Sequence, residues 1–260
     1  MKRRNFLQKT AATGLATAGL GMHAMAQNTA EGQEWYEIRT YHVHWAGRIQ
    51  LMHRYLQSAL IPALNRMGVE RVGVFTEQGD PSPPKLRVLI PYPTLAAMQN
   101  SKANLTADSA YQEAAEFYQR RRPDQAIFTR VESAFFQAFA GLPKMRKTDR
   151  KADTVFELRT YESFNEDAGR RKVSMFNDGE IDLFDTVGLH PVFFGEAVFA
   201  ANLPQLTYML QFDSMEEREA NWATFLAHPE WKRIAGMDKY ANTVSNIIRH
   251  FLVRTEYSQI

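Results

Sequence analysis

The chain contains no cysteine among its 260 residues. That absence excludes a disulfide scaffold, a thiol nucleophile, a thiolate zinc site and an iron–sulfur cluster. No run is long and apolar enough to read as a secure transmembrane helix. The sequence also lacks a Gly-x-Ser-x-Gly elbow, a P-loop, a dinucleotide fingerprint and the Cys-x-x-Cys-His run that attaches haem covalently. An excess of charge is missing too, since 31 Lys and Arg stand against 29 Asp and Glu, for +2 overall. Four of those cations (Lys2, Arg3, Arg4 and Lys9) fall in the first 26 residues, which carry no acid, so the remainder has a formal charge of −2. No global electrostatic case for nucleic acid survives that correction. What is present is 45% hydrophobic and 12% aromatic residues, the composition of a globular protein.

The N-terminus reads as an address. Lys2-Arg3-Arg4-Asn5-Phe6-Leu7-Gln8 is positive, residues 10–21 are soft and apolar, and Ala24-Met25-Ala26 is a small-x-small cleavage pattern. The paired arginines before Phe-Leu resemble a twin-arginine export signal, with Lys2 and Gln8 as departures. Residues 1–26 are therefore expected to be a signal removed after Ala26, leaving a periplasmic or secreted protein without a membrane span.

The rest repeats itself at a spacing of 120: Tyr36-Glu37-Ile38-Arg39-Thr40-Tyr41 recurs as Phe156-Glu157-Leu158-Arg159-Thr160-Tyr161. The same spacing carries Gly68 onto Gly188, Leu86 onto Leu206, Thr94 onto Ser214 and Tyr111 onto Trp231. The last strand fits with a small shift, Phe135 onto Phe251. Alternation and β-branched content predict strands at 35–43, 69–77, 85–91 and 127–139, and again at 154–162, 189–200, 205–212 and 246–256. Helical spacing predicts helices at 47–66 and 94–121, then 166–186 and 214–238. In the first helix the stripe is Ile49, Met52, His53, Leu56, Leu60 and Leu64. Thr94, Ser214 and Asp108 are good N-caps.

The fold class is α+β: two tandem ferredoxin-like βαββαβ repeats, with helices on one sheet face only. The bare faces need cover, so the halves are expected to pack sheet to sheet as a barrel. The domains are expected at 34–139 and 154–257. Residues 140–153 read as a basic, solvated linker.

The openings Glu37-Ile38-Arg39-Thr40-Tyr41 and Glu157-Leu158-Arg159-Thr160-Tyr161 resemble those of NIPSNAP domains. Asn221-Trp222-Ala223-Thr224-Phe225-Leu226-Ala227-His228-Pro229-Glu230-Trp231 is similar to that family's second-helix motif, from which residues 103–111 depart. The resemblance implies a dimeric α+β barrel, here closed within one chain, and no defined reaction. Relatives of the wider fold include oxygenases, haem-handling enzymes and isomerases, and fold alone does not choose among them.

On each opening strand Glu37, Arg39 and Tyr41, and likewise Glu157, Arg159 and Tyr161, share one face. Ile38 and Leu158 are expected to meet the helices, leaving the Glu-Arg-Tyr faces to line the barrel interior. There they either pair structurally or bind an anionic ligand. His42 and His44 share a strand face and His53 follows on a helix, a weak pattern for a metal. His250, on the closing strand, is the best lone candidate for a haem ligand or base. His190 and His228 read as loop or cap residues. Most of the aromatic load, including Trp35, Trp45, Trp222 and Trp231, is expected in the core. An aromatic-lined pocket between helices and sheet also fits a small hydrophobic ligand.

Three functions stay open at this point. One is an exported ligand-binding or scaffold protein without a cofactor. A second is a monooxygenase- or isomerase-like enzyme acting on a small hydrophobic or aromatic substrate. The third is a haem-binding protein. Homo-oligomers through exposed helices are compatible with all three.

Overall fold

The computed structural model describes residues 32–79, 81–148 and 154–260, so the N-terminal address lies outside the described residues. The first half runs β1 (Trp35–Val43), α1 (Ile49–Tyr55), α2 (Ile61–Arg66), β2 (Gly73–Glu77), β3 (Lys85–Tyr92), α3 (Leu95–Ala107), α4 (Ser109–Gln119) and β4 (Phe128–Ala138). The second half runs β5 (Val155–Glu162), α5 (Glu166–Met175), α6 (Ile181–Thr186), β6 (Pro191–Phe199), β7 (Gln205–Phe212), α7 (Met215–Ala227), α8 (Pro229–Ala235) and β8 (Asn246–Arg254).

Local chemistry accounts for the breaks. Thr94 and Ser214 accept hydrogen bonds from the amides of Ala97 and Glu217. Asp108 and His228 cap the shorter helices that follow by accepting from Tyr111 and Glu230. β2 begins at Gly73, later than the alternation predicts, because Arg71 just before it turns the chain through a left-handed φ of 58°. A π turn joins the paired first helices at the same place in each half, at Leu56–Leu60 and at Phe176–Glu180.

The eight strands close into one barrel in the order β1-β3-β2-β8-β5-β7-β6-β4. Each half contributes the ferredoxin-like order 4-1-3-2, and the halves join edge to edge through β2–β8 and β4–β6. The repeat extends to register. Phe135 faces Glu37 across β4–β1, and Phe251 faces Glu157 across β8–β5.

The sidedness of the opening strands is the reverse of that expected. Ile38 and Leu158 point into the barrel with Tyr36, Phe75, Phe136 and Phe193. Tyr41 packs under the first helical layer and Tyr161 under the second. The Glu-Arg-Tyr faces therefore meet the helices, and the barrel interior is largely apolar.

The linker also departs from its solvated reading. Over its described part Met145 is 3% exposed, its amide donates to Glu34 Oε2 at 2.7 Å, and the Arg146 amide donates to Val192 O at 2.9 Å. An apolar side chain in a basic segment thus anchors the connection to both halves. Trp45, expected in the core, is 53% exposed.

Candidate functional site

The opening strand of the second half places Glu157, Arg159 and Tyr161 beneath α5 to α8. Glu157 is fully buried and saturated. Arg218 holds it with two bonds, Nε to Oε2 at 2.9 Å and Nη2 to Oε1 at 3.0 Å, and Trp222 Nε1 donates to Oε2 at 2.9 Å. Among the described residues the one hydrogen-bonding contact of Arg159 is a long one, 3.4 Å from Nη1 to Glu157 Oε1. Its Nε is buried without a hydrogen-bond partner, and its guanidinium lies over the Trp222 ring at 4.1 Å. A guanidinium is charged at any working pH. Arg159 is thus a buried cation whose nearest carboxylate is already neutralised by another arginine.

Arg159 lines a cavity of about 700 Å³ between sheet and helices, with Tyr161, Trp222, Phe225 and Trp231 among its walls. That volume lies within the range of small-molecule sites. Lys172 from α5 and Glu180 from the π turn also line it. Lys172 Nζ donates to Glu180 Oε2 at 2.7 Å, and both residues are under 5% exposed. Burial pushes the Glu180 carboxyl up, while Lys172 and then Arg159 pull the other way. Gly179, inside the π turn, takes φ +149°, a conformation that L side chains rarely adopt. Tyr161 and Tyr208 share a hydroxyl hydrogen bond of 2.9 Å, and burial raises the pKa of both phenols. Four cations (Arg159, Lys172, Arg218 and Arg249) thus line a cavity whose carboxylates are Glu180 and the adjoining Glu157.

The first half has the same pocket with different chemistry. Arg39 closes on Glu37 with two bonds, Nε to Oε1 at 2.6 Å and Nη2 to Oε2 at 2.8 Å. Tyr92 and Ser133 complete the Glu37 shell. Burial opposes the Glu37 charge, but Arg39 outweighs it and holds the carboxyl below its usual range. The cavity there is smaller, about 440 Å³, and is lined by Tyr41, Tyr55, Tyr111 and Tyr118. At the 120 spacing Lys172 and Glu180 correspond to Met52 and Leu60, and Arg218 to Met98.

The NIPSNAP family model matches residues 36–136 and 156–259, one copy per half. This chain belongs to the NIPSNAP family. The barrel that the NIPSNAP halves close has structural counterparts. A candidate monooxygenase from Lactobacillus acidophilus NCFM matches with TM-score 0.57 at 12% identity, over 85% of this chain and 94% of that one. A second, from Fusobacterium nucleatum, matches with TM-score 0.56 at 11% identity, over 86% and 93%. A NIPSNAP-like domain protein from Burkholderia xenovorans is 18% identical over 42% of this chain and 90% of its own, with TM-score 0.38. For the two candidate monooxygenases the likeness extends to the fold alone. No match is found among the curated proteins.

The histidines do not converge in this NIPSNAP chain. His42 faces the barrel interior, where Nε2 lies 3.1 Å from Glu132 Oε1 without a well-aimed hydrogen bond. His44 is exposed beyond the end of β1. His53 sits on the other side of the sheet, with Nδ1 2.6 Å from the Tyr257 hydroxyl. The barrel wall separates His42 from His53, so the proposed trio is not assembled. Among the described residues no group of three or more His, Asp or Glu is arranged to hold a metal. His250 does enter a cavity, the polar mouth of the barrel, of about 300 Å³ and shared with His42, Lys85, Arg87 and Thr160. Burial and then the Arg87 charge push its imidazole down to about 4. Lys85 and Arg87 flank this mouth, and among the described residues no histidine lines the 700 Å³ cavity.

Lys172, Glu180, Arg218 and Arg249 escape strand-motif reasoning because they lie on other elements. The signal for the Lys–Glu pair was nevertheless in the sequence. Within an apolar helical stripe, one copy of the repeat carries Met52 and Leu60 and the other carries Lys172 and Glu180.

Proposed function

We propose that this protein binds a small anionic molecule with an apolar body in the cavity of its second half. The observation that carries this reading is Arg159, a buried cation with an unbonded Nε, on the wall of an aromatic-lined cavity. A buried charge lacking a full partner is costly, and a ligand carboxylate supplies one. The aromatic walls supply the apolar contact, and the excess of cations attracts the anion into the site. The twin-arginine-type segment at residues 2–8 supports action outside the cytoplasm after export.

Titration calorimetry with benzoate and with uncharged benzamide tests the binding reading. Benzoate should bind the wild-type protein at least about tenfold more tightly, as befits a charge-assisted hydrogen bond. Arg159→Gln should erase that preference while the far-ultraviolet circular dichroism stays unchanged. Equal binding of both probes, or a preference that survives in Arg159→Gln, would sink it.

A further inference from the structure

The first half is a control for the second, because the same fold closes there without a Lys–Glu pair. Met52 and Leu60 occupy the equivalent positions and are fully buried. A buried ion pair is in general weak support for stability, and well-packed apolar residues often do as well or better. The fold therefore does not require Lys172 and Glu180, yet both are buried and both line the larger cavity.

Their placement complements Arg159. The Tyr161 ring neighbours both cationic groups, with Arg159 Cζ 5.4 Å from its centroid and Lys172 Nζ 5.5 Å from it. An ammonium has three donors. For Lys172 Nζ the recorded contacts are Glu180 Oε2 at 2.7 Å and Met175 Sδ at 3.4 Å. The Lys172 end of the cavity thus offers a donor beside a carboxylate acceptor, walled by Phe176 at 4.4 Å and Trp231 at 5.7 Å from the ammonium.

Resting on the reading of Arg159 as the carboxylate anchor, we infer that the ligand is an aromatic acid carrying a hydroxyl at the end away from its carboxylate. The carboxylate meets Arg159, the ring lies among Trp222, Tyr161 and Trp231, and the hydroxyl accepts from Lys172 and donates to Glu180. Lys172 and Glu180 are then specificity determinants, because a site built to bond a hydroxyl discriminates against the analogue that lacks one.

The test compares benzoate, 4-hydroxybenzoate and 4-methylbenzoate by calorimetry on the wild-type chain and on Lys172→Met/Glu180→Leu, which installs the residues of the first half. The wild type should prefer 4-hydroxybenzoate over 4-methylbenzoate by about tenfold or more. The double variant should lose or reverse that preference, whatever the change in its affinity for benzoate, to which Glu180 contributes through its charge beside Arg159. Glu180→Gln, which keeps the shape of the side chain, provides a second reading should the double variant not fold, and should also weaken the preference. Equal wild-type affinities for the hydroxy and methyl acids, or a preference unchanged in the variants, would overturn the inference while leaving the anion site standing. Failure of all three acids to bind would overturn the anion site itself and this inference with it.

Discussion

Arg159 and Arg249 face one another directly across the β5–β8 ladder, whereas the equivalent Arg39 faces Ser133. Like charges opposite one another destabilise a sheet. Arg249→Ser, which restores the pairing of the first half, should therefore raise the stability of the ligand-free protein by about 0.2–1 kcal/mol. It should also weaken benzoate binding. Urea denaturation with and without benzoate measures both effects, and a loss of stability in the free protein would contradict the repulsion.

Trp222 holds Glu157 through its indole N–H while forming the face on which Arg159 lies. Trp222→Phe keeps an aromatic face and removes the donor to a buried carboxylate. It should cost about 1.5–3 kcal/mol, the usual worth of a hydrogen bond to a charged group. A shift in the urea midpoint at constant slope checks this, and an unchanged midpoint would show that the bond contributes nothing.

The pH dependence of stability should report His250. Its imidazole faces Glu77, Arg87 and Lys85, and burial followed by Arg87 lowers it from 6.5 to about 4. A lowered histidine contributes stability that is present above 6.5 and lost as pH falls toward 4. The side chain is about one-third exposed, so solvent screening reduces the effect. Unfolding free energy measured stepwise from pH 7.5 to 4 should fall more steeply in wild type than in His250→Asn (the range brackets the two ends of that titration). Parallel curves would exclude His250 as a contributor.

Gly195 lies on the β4–β6 seam opposite Ala138. A Cβ there would come within 2.7 Å of Phe136 Cβ. Overpacking of this kind typically costs about 1–3 kcal/mol, so Gly195→Ala should lower the thermal midpoint by about 2–12 °C. An unaltered midpoint would mean that the seam yields freely.

Much of the fold was legible because the repeat doubled each signal. The helix caps at Thr94 and Ser214, and the strand pairs around Leu86 and Leu206, occur at one spacing in both copies. Sidedness was not legible. Alternation says that Glu37, Arg39 and Tyr41 share a face, but both faces of this sheet are covered, one by the barrel interior and one by helices. Polar residues then cease to mark the outside. The candidate site was half visible: Arg159 and Tyr161 stand in the motif, but the saturation of Glu157 by Arg218 depends on contact between distant elements.

The covalent joining of the two halves has a consequence for how their pockets can diverge. In a barrel closed by two identical chains, every change in one pocket appears in the other, so a lysine beside a glutamate must suit both. Here the seams are the same in kind, but the sequences on either side vary independently. One pocket keeps Met52 and Leu60 and a closed Glu37–Arg39 pair, while its twin carries Lys172, Glu180 and an arginine with an unbonded edge. Carrying both halves on one chain releases the barrel from its own symmetry. A tyrosine-lined and a cation-lined chamber can occupy one wall of strands without either constraining the other.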